Sequence, residues 1–211
     1  MDLQNEVWLD SPDGWLAVVD GDSEFAMIER FHFQSEAECL GKASVIFYKN
    51  GPAVHLDYDG NRFIDEKNKE DSLRYMAEIN SPIVDLAAGQ SYAMETEWLP
   101  ARAGGDLKTV TPMAVFGKPI QANQARGNTL LTGEFSVFLP GSLFAIFQDA
   151  GGKQVAQVSL RRVDPREKIA LRAEIKTPPH TSVVLLMLRG ADGRTLGSLG
   201  DKLPLLEEGK N

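Results

Sequence analysis

The chain contains one cysteine, Cys39, in 211 residues. It cannot close an internal disulfide, so the fold does not depend on an oxidising compartment. A zinc site built from several cysteines is excluded for the same reason. Histidine is scarce too. His32, His55 and His180 fall in three separate segments, without the close spacing of a His-x-x-x-His metal site. Long apolar runs are missing: the longest, Val183 to Leu188, has 6 residues. Roughly 20 are needed to cross a bilayer, so no membrane span is expected. Basic residues are outnumbered 22 to 30, for a net charge of −8. That balance disfavours nonspecific binding to nucleic acid or anionic membrane. The stretch Met1 to Glu6 lacks the basic and apolar regions of a secretory signal, so the default expected location is the cytoplasm. No Gly-rich phosphate loop precedes a helix, and no Gly-x-Ser-x-Gly elbow occurs. Neither a cofactor nor a metal is expected.

What is present is a β pattern throughout. Trp15 to Val19 is a short apolar run closed by the turn signal Asp20-Gly21-Asp22. Phe25 to Phe33 follows as a strand. Ala43 to Tyr48 ends at Asn50-Gly51, a pair that favours a type I′ hairpin turn. Ala53 to Tyr58 alternates Val54, Leu56 and Tyr58 with His55 and Asp57. After a charged loop over 65–71, Leu73 to Ile79 reads as the next strand. Ser91 to Leu99 sets Tyr92, Met94, Thr96 and Trp98 on one face, and Ala93, Glu95 and Glu97 on the other. Phe33 to Leu40 is the best helical candidate, at one or two turns.

Pro100 to Asp106 reads as a boundary, with a proline, two adjacent glycines and no apolar periodicity. Strands resume at 109–116, 130–139, 143–148, 154–160, 169–175, 183–188 and 195–199. Short strands at regular turn spacing predict a β-sandwich of immunoglobulin-like size. The expectation is an all-β chain in two sandwich-like parts, 1–104 and 105–211.

The first part also carries a family pattern. Its segments are, in order, Gly14-Trp15-Leu16-Ala17, Met27-Ile28-Glu29-Arg30-Phe31 and Arg74-Tyr75-Met76-Ala77-Glu78. Ser81-Pro82, Leu86-Ala87-Ala88-Gly89-Gln90-Ser91-Tyr92 and Glu95-Thr96-Glu97-Trp98-Leu99-Pro100 follow. Over residues 14–102 this resembles the C-terminal half of the galactose-mutarotase-like β-supersandwich, and more narrowly an uncharacterised family of that superfold. The resemblance implies half a supersandwich fold and a carbohydrate ligand. In epimerases of the superfold a late-strand glutamate is the general base, and Glu78 is the position that matches. No counterpart of their general-acid histidine precedes Glu78. The faces and edges left by the unmatched half imply cover by a second copy, hence a homo-oligomer.

Candidate site residues follow from these two readings. Arg74, Met76 and Glu78 share a strand face, where Arg74 and Glu78 form either a solvated pair or part of a sugar site. Glu95 and Glu97, two residues apart on one strand, would stand ~6.5–7 Å apart, near the separation for inverting glycoside hydrolysis. His55 lies beside Asp57, a pairing that orients an imidazole for proton transfer. Trp8, Trp15 and Trp98 can stack on a pyranose or fill a core. The run Asp57 to Asn61 fails the EF-hand spacing, because glycine falls fourth instead of sixth. Cys39 has no basic neighbour but Lys42, so an activated thiolate is not expected.

Three functions fit these residues. One is a glycoside hydrolase or aldose-epimerase-like enzyme with Glu78, Glu95, Glu97 and His55 as catalytic groups, and Trp15, Trp98 and Arg74 on the substrate. Another is a noncatalytic carbohydrate-binding module with a tryptophan platform. The third is a structural β-sandwich domain.

Overall fold

The computed structural model describes residues 4–35, 38–50, 55–56, 62–63 and 75–207. Every regular element among them is a β-strand except one 3-10 turn at Leu40–Lys42, so the chain is all-β as expected. The helical candidate at 33–40 forms no α-helix in its described part, and only its last residue, Leu40, enters the 3-10 turn. Gly41, at φ 63°, closes the single turn instead. The chain divides into two compact units, Met1–Val18 with Glu29–Trp98, and Val19–Ile28 with Leu99–Asn211.

The strands up to Arg102 are β1 (Gln4–Leu9), β2 (Trp15–Val19), β3 (Phe25–Phe31), β4 (Val45–Asn50), β5 (His55–Leu56), β6 (Arg62–Phe63), β7 (Tyr75–Ile79) and β8 (Thr96–Arg102). In the first unit β1, β4 and β7 form an antiparallel sheet in that order, with Trp8 opposite Ile46 and Ile46 opposite Glu78. β4 is central, and Val45 and Ile46 on its two faces are both buried. The β-branched pair suits a strand packed on both sides. β5 and β6 pair as a two-stranded ribbon. β2, β3 and β8 form a third sheet in that order. This unit leaves many large apolar side chains in solvent, among them Val7, Trp8, Leu9, Leu40, Met76, Ile83 and Leu86.

The strand expected over 91–99 is displaced. Residues 91–95 lie in no strand, and β8 begins at Thr96 and runs through Pro100 to Arg102. Pro100 does not break it because β8 is an edge strand, where a missing N–H costs no ladder bond. The residues expected to open a linker are therefore partly strand.

The second unit continues with β9 (Thr109–Val110), β10 (Ala114–Ala125), β11 (Asn128–Val137), β12 (Gly141–Gln148), β13 (Gln154–Val163), β14 (Ile169–Lys176), β15 (Val183–Arg189), β16 (Thr195–Ser198), β17 (Leu203–Pro204) and β18 (Leu206–Glu207). Two sheets result. One runs β14-β11-β10-β18 with β9 on β10, and the other β13-β12-β15-β16 with β17 on β15. Their inward residues meet in one apolar core: Phe116, Leu131, Phe135, Ile169 and Leu171 from the first, Leu143, Phe147, Val184, Leu186 and Leu188 from the second. Phe116 and Phe135 pack with ring centroids 5.6 Å apart. Burying each such side chain stabilises by roughly 1.5–3 kcal/mol, and the face-to-face stack is a β-sandwich. β10 and β11 are joined by Arg126 and Gly127, both at positive φ, as a two-residue hairpin turn with the strand twist requires.

Candidate functional site

The expected carboxylates occupy separate places. Glu78 lies exposed on β7, in the sheet of β1 and β4. Glu97 lies on β8, in the sheet of β2 and β3. Its carboxylate sits 3.2 Å from the Arg30 guanidinium, a solvated ion pair. Glu95 precedes β8 by one residue, so no strand period relates it to Glu97. Arg74 and Asp57 lie outside the described residues. His55 is described only as backbone, paired with Phe63 across β5 and β6.

The tryptophans divide differently. Trp98 is 64% exposed, and its indole N–H donates to Thr96 Oγ1 at 3.1 Å. The odd residues Leu99 and Ala101 turn inward from β8, which sends Trp98 to solvent. Trp8 is also exposed and donates to Glu6 Oε2 at 3.2 Å. Its ring lies against Gly41, where a Cβ would collide with the indole.

Trp15 is half-buried and lines a recess of about 360 Å³ in the first unit. Apolar walls come from Leu9, Ala17, Val45 and Phe47, and polar groups from Asp10, Ser11 and Asp13. A Ser-Pro-Asp-Gly turn shapes its rim. Gly14 N–H donates to Ser11 O at 2.9 Å, and Gly14 stands at φ 67°, where a Cβ would strike the carbonyl oxygen of Phe31. A side chain is excluded there on both counts.

Side chains then tie the turn down. Ser11 Oγ donates to Trp15 O at 2.6 Å. Ser11 N–H donates to Ser44 Oγ at 2.9 Å, and Ser44 N–H to Asp10 Oδ1 at 3.2 Å. These bonds hold one Asp10 oxygen and the Trp15 backbone in place before any ligand arrives. Burial, and then the Asp10 carboxylate, push the Cys39 thiol above its usual range. Such a thiol is a poor nucleophile.

Asp10, Ser11 and Asp13 were not among the residues singled out by sequence. Their signal was the turn sequence Ser11-Pro12-Asp13-Gly14, directly ahead of a tryptophan strand. Among the described residues no three His, Cys, Asp or Glu side chains gather as a metal-binding group. The turn at 20–24 is held by Asp20, whose carboxyl is lowered below its usual range by the Ser23 hydroxyl and then the Asp22 N–H.

Comparison with known protein families, curated proteins and solved structures finds no match for this chain.

Proposed function

We propose that this chain is a carbohydrate-binding β protein, with the Trp15 recess as its sugar seat. The observation that carries the reading is the recess itself. An indole, carboxylates and a hydroxyl converge on about 360 Å³ in the first unit, within the usual range of small-ligand sites. An aromatic wall takes the C–H face of a pyranose, and carboxylates accept hydrogen bonds from its hydroxyls. The resemblance of residues 14–102 to the mutarotase-like superfold points to the same ligand class. Binding is favoured over hydrolysis because an acid and a base must face each other across the scissile bond. Glu78 and Glu97 stand on different sheets, and Glu97 is engaged by Arg30.

A fluorescence titration with free hexoses and oligosaccharides tests the reading. All three tryptophans belong to the first unit, so a sugar-dependent change in their emission reports that unit directly. Asp13 is exposed, so Asp13→Asn should weaken binding while leaving the fold intact. Trp15→Phe should weaken it further. Release of aryl alcohol from chromogenic glycosides, lost in Glu78→Gln, would replace binding with the hydrolase reading. The exposed apolar side chains of the first unit support self-association as well, and light scattering at the mass of one chain would remove that expectation.

A further inference from the structure

A second recess, in the second unit, carries a different chemistry. We propose that it is a binding cleft for a small organic anion, whose carboxylate or phosphate head is held by Arg162, Arg189 and Ser142. The cleft encloses about 590 Å³, and all three side chains line it, with Phe144 as an apolar wall.

Strand register builds the cluster. Ser142 on β12 stands opposite Arg162 on β13 and, on its other side, opposite Arg189 on β15. Directly paired residues share a sheet face, so the three form a row, Arg–Ser–Arg, across adjacent strands. At a strand spacing of ~4.8 Å the two arginine backbones are ~10 Å apart, with a hydroxyl between them. Two guanidinium groups on long stems can reach one oxyanion from either side of that hydroxyl. Phe144 follows two residues along β12, on the same face.

The charges around the cleft do not cancel. Asp164 is held bidentately by Arg166, at 2.7 and 2.9 Å, and Glu167 pairs with Arg161 at 2.7 Å. Those two acids are neutralised by arginines close to them in the chain, Arg166 in the loop and Arg161 at the end of β13. Among the described residues no carboxylate pairs with Arg162 or Arg189, so the cleft keeps two positive charges on a chain of net charge −8. Arg189 is also held in position. Its guanidinium lies 4.8 Å from the Phe144 ring centroid, and Nη2 donates to Gln157 Oε1 at 2.6 Å. Its Nε–H is buried and has no acceptor among the described residues. A buried donor left unsatisfied is costly, so the guanidinium is not saturated by the protein.

Guanidinium forks match the two oxygens of a carboxylate or phosphate. The volume exceeds what a bare inorganic ion fills, so the ligand carries an organic body. That body would lie along Pro140 and Gly190, where the rim has little side-chain bulk. The proposal does not depend on the sugar reading of the first unit.

Calorimetric titration of the full chain with phenyl phosphate, benzoate, inorganic phosphate and phenol is the test. At least one of the two aryl anions should bind more tightly than about 1 mM, and phenol should not bind. The stronger of phenyl phosphate and benzoate identifies the head group. Arg162→Gln and Arg189→Lys should each weaken binding at least about tenfold, the second because the ammonium loses the fork geometry. Lys153→Gln, on an exposed loop away from the cleft, should leave it unchanged. Amide spectra of each variant confirm the fold, and the Arg189 Nε–H resonance should shift on binding. Failure of both aryl anions to bind overturns the proposal. So does binding that survives in both arginine variants, or that falls equally in Lys153→Gln. Inorganic phosphate binding as tightly as phenyl phosphate would remove the organic body.

Discussion

Phe147→Ala is the sharpest test of the sandwich. Phe147 has no exposed surface and sits on β12, between Ala156 of β13 and Val184 of β15. It belongs to the core shared by both sheets. Removing its ring loses the transfer free energy of the aromatic group and leaves a cavity that rigid sheets close only in part. Buried Phe→Ala changes cost about 3–5 kcal/mol, a large fraction of the roughly 5–15 kcal/mol that holds a domain folded. With a urea slope of about 1.5 kcal/mol per molar, a loss of about 4 kcal/mol moves the midpoint down by more than about 2 M. The readout must be chosen with the aromatic distribution in mind. Every tryptophan and tyrosine lies before residue 99, so indole emission does not report the second unit. Far-UV circular dichroism and amide hydrogen exchange of β12 and β15 do. A loss below about 1 kcal/mol would refute the placement of Phe147 between two packed sheets. Phe25→Ala is the contrast: that side chain keeps 40% of its surface exposed, and its removal should cost less than about half as much as Phe147→Ala.

Three further outcomes are expected. The buried Ser136 hydroxyl has one proton to donate and lies within hydrogen-bond reach of the carbonyl oxygens of Arg102 and Glu167, so Ser136→Ala removes the donor from a part-buried bond. It should cost roughly 1–3 kcal/mol in the same urea experiment. Asp164 should titrate near 2 instead of 3.8 by carboxyl NMR, because the Arg166 guanidinium, and then its N–H, hydrogen-bond to the charged form. Its contribution to stability is complete above the unfolded-state value near 4 and is lost as pH falls through about 2; Arg166→Gln should return the midpoint toward the ordinary range. Cys39 should be alkylated slowly at about pH 8, and Asp10→Asn should speed the reaction by removing the carboxylate that opposes thiolate formation.

Much of the second unit was legible in the residues. Its strands from β11 to β16 match the expected runs within a few positions, because Gly, Pro and Asp turn signals bound each one. β10 was not legible to its full length. The strand expected over 109–116 is interrupted at residues 111–113, and β10 continues to Ala125 through register shifts between Phe116 and Gln121. A bulge absorbs the residues that cannot pair regularly. β8 misled in the opposite direction. Alternation over 91–99 looked like a strand, yet only the edge position shows why the strand starts later and passes through Pro100.

The candidate sites depended still more on tertiary placement. Trp15 stood out in the sequence as one of three candidates for stacking, but Asp10 and Asp13 entered only once the turn beside it had shape. Nothing in the spacing of positions 142, 162 and 189 links them. They meet because β12 is flanked by β13 and β15 in one particular register.

The sequence by itself determined the all-β character, the absence of an internal disulfide and most of the turns. These depend on side-chain period and backbone preference over a few residues, and neighbours along the chain set them. Only the tertiary structure decided which strands pair, which tryptophans face solvent and which arginines share a cleft. Those outcomes follow from burying one face of each strand against partners tens of residues away, and shifting the register by a single residue would exchange the faces.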